Sequence, residues 1–302
     1  MNIFNQISAK YRSSGALMRL VMVNVGVFLA IRLAAIVLYF AGISSAMMLS
    51  WIEVPSSAAM LLRRPWTVFT YMVAHYDLLH ILFNMLWLYW MGRLFMEYFR
   101  AKQLVALYVM GGLGGAAIYV LGYALLPVLG GQLAFLIGAS ASVIAIVAAM
   151  AVYAPQYRVN LFFLGPVSLK WLALGAVVLM VLSTDPTQMG GQLSHLGGAL
   201  VGALYGWQMR RGHDITAWLN RLFDAVANLA KPRPRKKGVG NPVGGKAYHY
   251  QQSSQQERAK QPSHAAPTEA EIDVILDKLK RSGYAALTED EKATLFRASG
   301  KK

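Results

Sequence analysis

The chain contains no cysteine, and only 14% of its 302 residues are charged. Without thiols it can form no disulfide bond, no thiolate metal site and no cysteine nucleophile. A soluble domain usually carries about a quarter charged residues. The shortage is uneven, because the chain from Ala16 to Trp207 has long apolar stretches with almost no charge, whereas the chain after Arg210 is polar and basic. The sequence therefore predicts a membrane part followed by a polar tail.

Six apolar stretches are long enough to form membrane-spanning helices, which need about 20 residues to cross roughly 30 Å of hydrocarbon. The sequence predicts these helices at about residues 17–40, 79–99, 104–126, 135–154, 167–183 and 192–209. The first stretch is too long for the core of a cleavable signal, so none is expected. The predicted fold class is an all-α membrane protein, a six-helix bundle with a small helical tail. Arg32, inside the first predicted helix, has no explanation at this level.

Basic residues in the short loops predict the orientation of the chain. They precede the first predicted helix, separate the second from the third and the fourth from the fifth, and follow the sixth. The loops at 127–133 and 184–191 contain no Lys or Arg. Because cytoplasmic loops are enriched in basic residues, both termini are expected in the cytoplasm. The net charge of +15 is attributed to this asymmetry and to attraction for anionic lipid, and no nucleic-acid partner is expected.

Composition divides the chain into four regions. They are an N-terminal segment at 1–15, a six-helix core at 16–210, a basic flexible linker at 211–267 and a C-terminal helical hairpin at 268–302. Thr268-Glu269-Ala270-Glu271 and Thr288-Glu289-Asp290-Glu291 are predicted capping boxes that open the two helices of the hairpin. Its apolar face is too small to fold stably alone, so the hairpin is expected to dock on a partner or on the core, with a solubilising tail as the alternative.

Polar side chains are costly inside a membrane, and the few present here lie near one predicted membrane face. Gly138-Ala139-Ser140 opens the fourth helix, where free backbone N–H groups can bind an oxyanion. His195 lies in the sixth helix. Small residues recur every four positions on both helices, at Gly198, Gly202 and Gly206 and at Ala141, Ala145 and Ala149. Close packing along these stripes predicts that His195 comes within hydrogen-bond reach of Ser140, about 3 Å. The alternative is a packing serine and an interhelical histidine without chemistry.

A second polar pair lies on the second predicted helix. His80 and Asn84 are four residues apart, so they share one helix face, and both can donate hydrogen bonds to an oxyanion. Their alternative role is polar contact between helices. No acidic residue is placed to complete a triad, since Asp77 precedes the second helix and Asp185 is in a loop. The sequence therefore predicts a Ser–His dyad.

Other classes of intramembrane protease are excluded by the residues present. No histidine is followed by glutamate, as a His-Glu-x-x-His metalloprotease requires. An aspartyl protease needs two carboxylates inside its helices, and only Glu97 qualifies here. No metal or cofactor is expected. A transporter would show inverted repeats and polar groups at the midplane, and neither is found.

Taken together, Gly138-Ala139-Ser140, Ser194-His195-Leu196-Gly197-Gly198 and His75…His80-Ile81-Leu82-Phe83-Asn84 resemble the motifs of the rhomboid intramembrane serine proteases. The resemblance covers roughly Ala16 to Trp207, and Trp66 is similar to the tryptophan of the family's first loop. Thr67, Ala141 and Ile144 depart from the family pattern, which often has Arg, Gly and an aromatic residue at these positions.

The resemblance implies a serine endopeptidase that cleaves transmembrane protein substrates in or beside their membrane helices. Ser140 would be the nucleophile, His195 the base, and Asn84, His80 and the Ser140 amide the oxyanion donors. The C-terminal hairpin is similar to a tail module of some bacterial rhomboids, so a multi-pass protein of a bacterial inner membrane is expected. The alternative is an inactive rhomboid-like protein that binds membrane helices without cutting them. Substrate identity and oligomeric state do not follow from the sequence.

Overall fold

A computed structural model describes residues 3–161, 165–182, 189–229, 269–282 and 286–299. The chain divides into two units, Met1–Arg233 and Pro234–Lys302, which are described separately below. Asp185, Thr268 and Gly283 lie outside the described residues.

The first unit is mostly helical. Its helices are α1 (Ile3–Ser13), α2 (Ala16–Phe40), α3 (Ser45–Leu49), α4 (Ala58–Arg63), α5 (Thr67–Thr70), α6 (Leu78–Tyr98), α7 (Ala101–Leu125), α8 (Ser140–Tyr153), α9 (Leu169–Leu182), α10 (Met189–Arg210) and α11 (Ala217–Leu229). A short 3₁₀ turn, Tyr71–Val73, lies between α5 and α6. Two antiparallel strand pairs join β1 (Val54–Pro55) to β2 (Phe135–Leu136) and β3 (Arg158–Leu161) to β4 (Gly165–Ser168).

Helices occupy all six ranges in which the sequence predicts membrane spans. Among the described residues, α2, α6 and α7 are long and apolar enough to cross a membrane, and α8 is a shorter apolar helix. At 1.5 Å per residue, the 25 residues of α2 extend about 38 Å, whereas the 14 residues of α8 extend only about 21 Å. The count of six crossings therefore stays a prediction.

The start of the fourth helix was predicted wrongly at residue 135. Phe135 and Leu136 instead pair with Pro55 and Val54 in an antiparallel ladder. Gly138 then has a φ of 121°, a conformation that no helix contains and that favours glycine. The helix can begin only after this residue, and it begins at Ser140. The all-α prediction likewise misses the four strands, which are too short to show a period in the sequence.

Helix α10 packs closely against α8 and α7 through its glycines. A Cβ added at Gly198, Gly202 or Gly206 would overlap the carbonyl oxygen of Ala141, Ala145 or Ala149, respectively. Gly197 meets the carbonyl of Gly114 on α7 in the same way. The structure confirms the predicted contact between the two small-residue stripes, and it leaves no room for side chains between the backbones.

Two further sequence interpretations change with the structure. The predicted flexible linker is wrong for residues 217–229, which form α11. Arg32, unexplained by the sequence, lies with its guanidinium 4.8 Å from the ring centroid of Tyr76, and its Nη1 donates to the Tyr76 carbonyl at 3.4 Å. The cation is therefore held at the loop that precedes α6.

The second unit contains the predicted C-terminal hairpin. Its helices are α12 (Glu269–Ser282) and α13 (Glu289–Ser299). The second capping box is confirmed, because the Thr288 N–H donates to Glu291 Oε2 at 2.7 Å and the Glu291 N–H donates to Thr288 Oγ1 at 3.3 Å. Lys278 bridges the two helices through Glu291 at 2.8 Å. Ile275 is buried against this small core.

Candidate active site

Ser140 and His195 are in direct contact where α8 meets α10. The Ser140 Oγ lies 2.8 Å from the His195 Nε2, which is hydrogen-bond distance. Ser140 is the first residue of α8, so its backbone N–H is one of the unpaired donors of a helix start. Ser142, two residues further along α8, is 1% exposed, and its Oγ has no hydrogen-bond partner among the described residues. The geometry therefore distinguishes Ser140, which contacts His195, from Ser142, which has no such contact.

The two residues before Ser140 are fixed by the segment that precedes α6. The Gly138 N–H donates to the Tyr71 carbonyl at 3.1 Å, and the Ala139 N–H donates to His75 Nε2 at 3.3 Å. A side chain at Gly138 would also collide with the His80 ring, since an added Cβ would lie 2.5 Å from His80 Cε1. These contacts fix the path of the backbone from Gly138 to Ser140.

His80 lies against this loop, and Asn84, on the same face of α6, contacts His75. The His80 ring adjoins Gly138, and Asn84 Nδ2 lies 3.1 Å from His75 Nε2. One N–H of the predicted oxyanion donor Asn84 is therefore already engaged by His75. Asp77 caps α6 by accepting from the His80 N–H at 2.8 Å, so this carboxylate is used for the helix start.

His75 is a site residue whose role was missed by the sequence analysis. Its side chain is fully buried and its Nε2 faces two amide donors, so the neutral ring accepts through Nε2 and carries its proton on Nδ1. Burial and, to a smaller extent, the neighbouring His80 lower the pKa of His75 to about 4. The available signal was its place in the His75…His80…Asn84 motif, five residues before His80 and outside the helix.

Helices α7 and α2 hold the 3₁₀ segment Tyr71–Val73 in place. The Tyr108 hydroxyl donates to the Met72 carbonyl at 2.6 Å, and the Tyr71 hydroxyl donates to the Gly112 carbonyl at 2.5 Å. Asn24, buried in α2, lies 3.2 Å from the Tyr108 hydroxyl. A chain of buried polar contacts therefore runs from α2 through α7 to the residues before Ser140.

The first loop explains one departure from the rhomboid pattern. Trp66 stacks on Trp51 with ring centroids 6.0 Å apart, and its Nε1 donates to the Trp51 carbonyl at 3.0 Å. The guanidinium of Arg64 lies 4.2 Å from the Trp51 ring centroid. Thr67 is buried and donates from Oγ1 to the Arg64 carbonyl at 2.7 Å. The loop cation is thus supplied two residues before Trp66 instead of directly after it.

A cavity of about 360 Å³ adjoins His195. It is bounded by the C-terminal half of α7, residues 134–137 and the first turn of α10. Tyr119 and Tyr123 form one wall, and Gly190 and Gly191 keep another wall free of side chains. A segment bound in this cavity would lie against His195.

Comparisons with known proteins fit this arrangement. The model of the Rhomboid domain matches residues 62–212, and that of a family of unknown function, DUF6576, matches residues 264–301. RHOMBOID-like protein 12, mitochondrial, from Arabidopsis thaliana is 31% identical over 159 residues, covering 48% of this chain and 47% of that protein. The chain thus spans about half the length of this curated relative. The first family match includes the whole segment from His75 to His195, and the second includes the C-terminal hairpin.

Proposed function

This chain belongs to the rhomboid family, and on that premise we propose that it is an intramembrane serine endopeptidase that hydrolyses peptide bonds in or beside transmembrane segments of membrane proteins. The observation that carries the proposal is the 2.8 Å contact between Ser140 Oγ and His195 Nε2. A nucleophile and a base at this distance are what acyl transfer requires. The substrates are membrane proteins, and the chemistry needs neither a metal nor a cofactor.

In the proposed reaction, His195 Nε2 accepts the Ser140 proton as Oγ attacks the carbonyl carbon of the scissile bond. The protonated His195 then gives this proton to the leaving amine, and the acyl group stays on Ser140. In the second step, a water molecule that gives its proton to His195 attacks the acyl carbon, and the bond to Ser140 Oγ breaks as His195 returns the proton to this oxygen. The Ser140 N–H, Asn84 and His80 are proposed to stabilise the oxyanion of both tetrahedral intermediates.

The alternative function is an inactive rhomboid-like protein that binds membrane helices without cleaving them. The name of the Arabidopsis relative states only a likeness and does not decide between the two functions. The presence of both Ser140 and His195, in hydrogen-bond contact, supports catalysis.

The rhomboid family and the apolar helices make this a multi-pass membrane protein. We propose six crossings with both termini in the cytoplasm, as the basic loops predict, and a bacterial inner membrane as its location. The relative's name assigns that protein to mitochondria, so the proposed compartment depends on the loops and the tail module of this chain. Reporter domains fused to the loops at 127–133 and after Arg210 would report the two sides separately.

Cleavage by reconstituted protein tests the proposed function. Ser140→Ala and His195→Ala should each abolish cleavage of a single-pass membrane substrate, because nucleophile and base act as one unit. Asn84→Ala should retain turnover lowered by about 10²–10³, the usual effect of losing one oxyanion donor. An active-site fluorophosphonate should label the wild-type protein and not Ser140→Ala.

The matched control is Ser142→Ala, which removes the buried hydroxyl that is not in contact with His195 and should keep substantial activity. An active Ser140→Ala variant together with an inactive Ser142→Ala variant would show that the nucleophile is misassigned. No cleavage of any candidate substrate, with no probe labelling by folded wild-type protein, would favour the binding-only function.

A further inference from the structure

Helix α11 has an apolar stripe that no other part of the described chain covers. Trp218, Leu222 and Val226 follow one another at intervals of four residues and are 56%, 50% and 57% exposed. Leu219, on the neighbouring side of the same helix, is 4% exposed and packs into the protein. The helix therefore docks through one apolar edge and presents a second apolar edge outward.

Two polar contacts hold α11 against the first turn of α7. Gln103 Nε2 donates to Asp214 Oδ2 at 2.9 Å, and Lys102 Nζ pairs with Asp224 Oδ1 at 2.6 Å. The two aspartates are ten residues apart, and the helical part between them extends about 12 Å. Their partners are adjacent residues of α7. Helix α11 therefore lies across the N-terminal end of α7 and not alongside it.

This location places α11 at a membrane boundary. Helix α7 is one of the helices that are long and apolar enough to cross a membrane, so its first turn is at the level of the headgroups. A helix lying across that end runs roughly parallel to the bilayer plane. Trp and other amphipathic side chains favour this depth.

The charges around α11 are complementary to an anionic surface. The carboxylates on α11 and just before it have partners, since Asp224 pairs with Lys102, and Asp214 accepts from Gln103 and from the Thr216 N–H at 2.8 Å. Arg210, Arg211 and Arg221 are exposed, and none of them has a carboxylate partner within the described residues. The Arg211 guanidinium stacks 3.7 Å from the Trp207 ring centroid, a cation beside an interfacial aromatic ring.

We propose that α11 is an in-plane membrane helix whose stripe of Trp218, Leu222 and Val226 inserts into the lipid leaflet at the N-terminal end of α7. Arg210, Arg211 and Arg221 bind the phosphate headgroups of anionic phospholipids in that leaflet. An apolar stripe flanked by arginines is the usual composition of such helices. The inference does not depend on catalysis, so it stands or falls separately from the proposed protease activity.

Spin labelling of the full chain tests this directly, because the absence of cysteine gives a background free of other labels. Leu222→Cys carries the label on the stripe, and Ala227→Cys carries it at an exposed position about 140° further round the helix from Leu222. Both variants are reconstituted in vesicles of phosphatidylcholine with phosphatidylglycerol. The Leu222 label should be accessible to oxygen and shielded from a water-soluble nickel chelate, and the Ala227 label should show the reverse.

Two results would overturn the insertion of α11. Equal nickel accessibility at both positions would mean that the stripe faces water. A Leu222 label shielded from oxygen and nickel alike would mean that protein covers the stripe, either another part of this chain or a second copy. The two labels share one helix, so a general loss of folding would affect both and would be recognised by their mobile spectra.

The anionic preference has its own test. Vesicles of phosphatidylcholine alone should increase the nickel accessibility of the Leu222 label, and Arg211→Gln with Arg221→Gln should remove this dependence on composition. Lys10→Gln with Arg12→Gln on α1 changes the net charge equally and should leave the dependence intact. If the wild-type label is equally deep in both vesicles, or if the two charge variants behave alike, the arginines do not bind anionic headgroups.

Discussion

At the scale of single residues, the site depends on a histidine outside the proposed dyad. His75 accepts a hydrogen bond from the Ala139 N–H and contacts Asn84, so it touches both the loop before Ser140 and a proposed oxyanion donor. Only a neutral ring can accept at Nε2, and burial keeps the ring neutral by lowering its pKa to about 4. Protonation would turn the acceptor into a donor that faces other donors.

This state of His75 predicts an acid-labile fold. The unfolded histidine binds a proton near pH 6.5 and the folded one only near pH 4, so its contribution to stability is complete above pH 6.5 and declines as the pH falls towards 4. For one proton, the free energy of unfolding changes by at most about 1.4 kcal/mol per pH unit. Thermal unfolding in detergent should show this decline in the wild type and a smaller one in His75→Gln, whose amide oxygen keeps the acceptor.

The comparison between variants is needed because other groups titrate in the same range. Burial raises the pKa of Glu53, which favours the folded state at low pH and so has the opposite sign. His75→Leu, which cannot accept from Ala139, should be less stable than the wild type by about 1–3 kcal/mol at neutral pH, and this difference should shrink as the pH falls towards 4. Equal acid dependence in the wild type and His75→Gln would show that His75 does not control it.

The sequence sufficed to predict the contact of Ser140 with His195 but not the partners of His75. The first contact follows from two periodic stripes, because glycine and alanine every four residues fix both the facing sides and the separation of α8 and α10. His75 lies in a non-helical segment and meets Ala139, which is 64 residues further along the chain. Loops have no periodic sequence pattern from which their contacts could be predicted. The pairing of these two loops depends on the three-dimensional path of the chain.

At the scale of helices, the distance between α8 and α10 determines the geometry of the dyad. Gly202 lies one turn below Gly198 and meets the Ala145 carbonyl, where an added methyl group would force the backbones apart. Gly202→Ala should therefore lower the cleavage rate by about 10² or more, since a displacement of about 1 Å between reacting groups has that effect. Overpacking should also lower the free energy of unfolding by about 1–3 kcal/mol.

The control for this prediction is Gly26→Ala on α2, a helical glycine whose added Cβ would have nothing within 4 Å. It introduces the same methyl group into an apolar helix without a contact, so cleavage should stay close to that of the wild type. The free energy of unfolding should stay the same or rise by up to about 1 kcal/mol, because alanine favours the helix over glycine. If both alanine variants lose activity equally, the loss does not arise from the separation of α8 and α10.

The elements that the sequence analysis missed share a physical cause. Strands β1 and β2 contain two residues each, too few for an alternating pattern, and their pairing joins residues 54–55 to 135–136. Helix α11 does have an amphipathic pattern, but it follows Arg210 and Arg211, where the composition becomes polar and was interpreted as a linker. Long apolar helices could be predicted because burial in lipid sets both their length and their composition.

At the scale of the whole molecule, the chain combines two compact units. All of the proposed catalytic residues lie in Met1–Arg233, and the residues that stabilise the α12–α13 hairpin, such as Lys278 and Glu291, lie in Pro234–Lys302. The two family matches divide the chain in the same way, at 62–212 and 264–301. A regulatory or recruiting role for the hairpin is the proposal that this division supports.

The division predicts that removal of the tail leaves the chemistry intact. A chain that stops after Arg235 retains every helix from α1 to α11, with the Ser140–His195 contact, the His75 contacts and the Lys102–Asp224 pair that holds α11. Its cleavage rate in detergent should therefore be close to that of the full chain, because no group of the hairpin is needed for acyl transfer.

The matched control carries Ser140→Ala in the truncated chain and should be inactive. A truncated protein that is folded, as judged by its unfolding temperature, but inactive would contradict the claim that the first unit is the complete catalytic unit. If the hairpin recruits a partner, the cleavage rates of the full and truncated chains should differ only in the native membrane, where that partner is present.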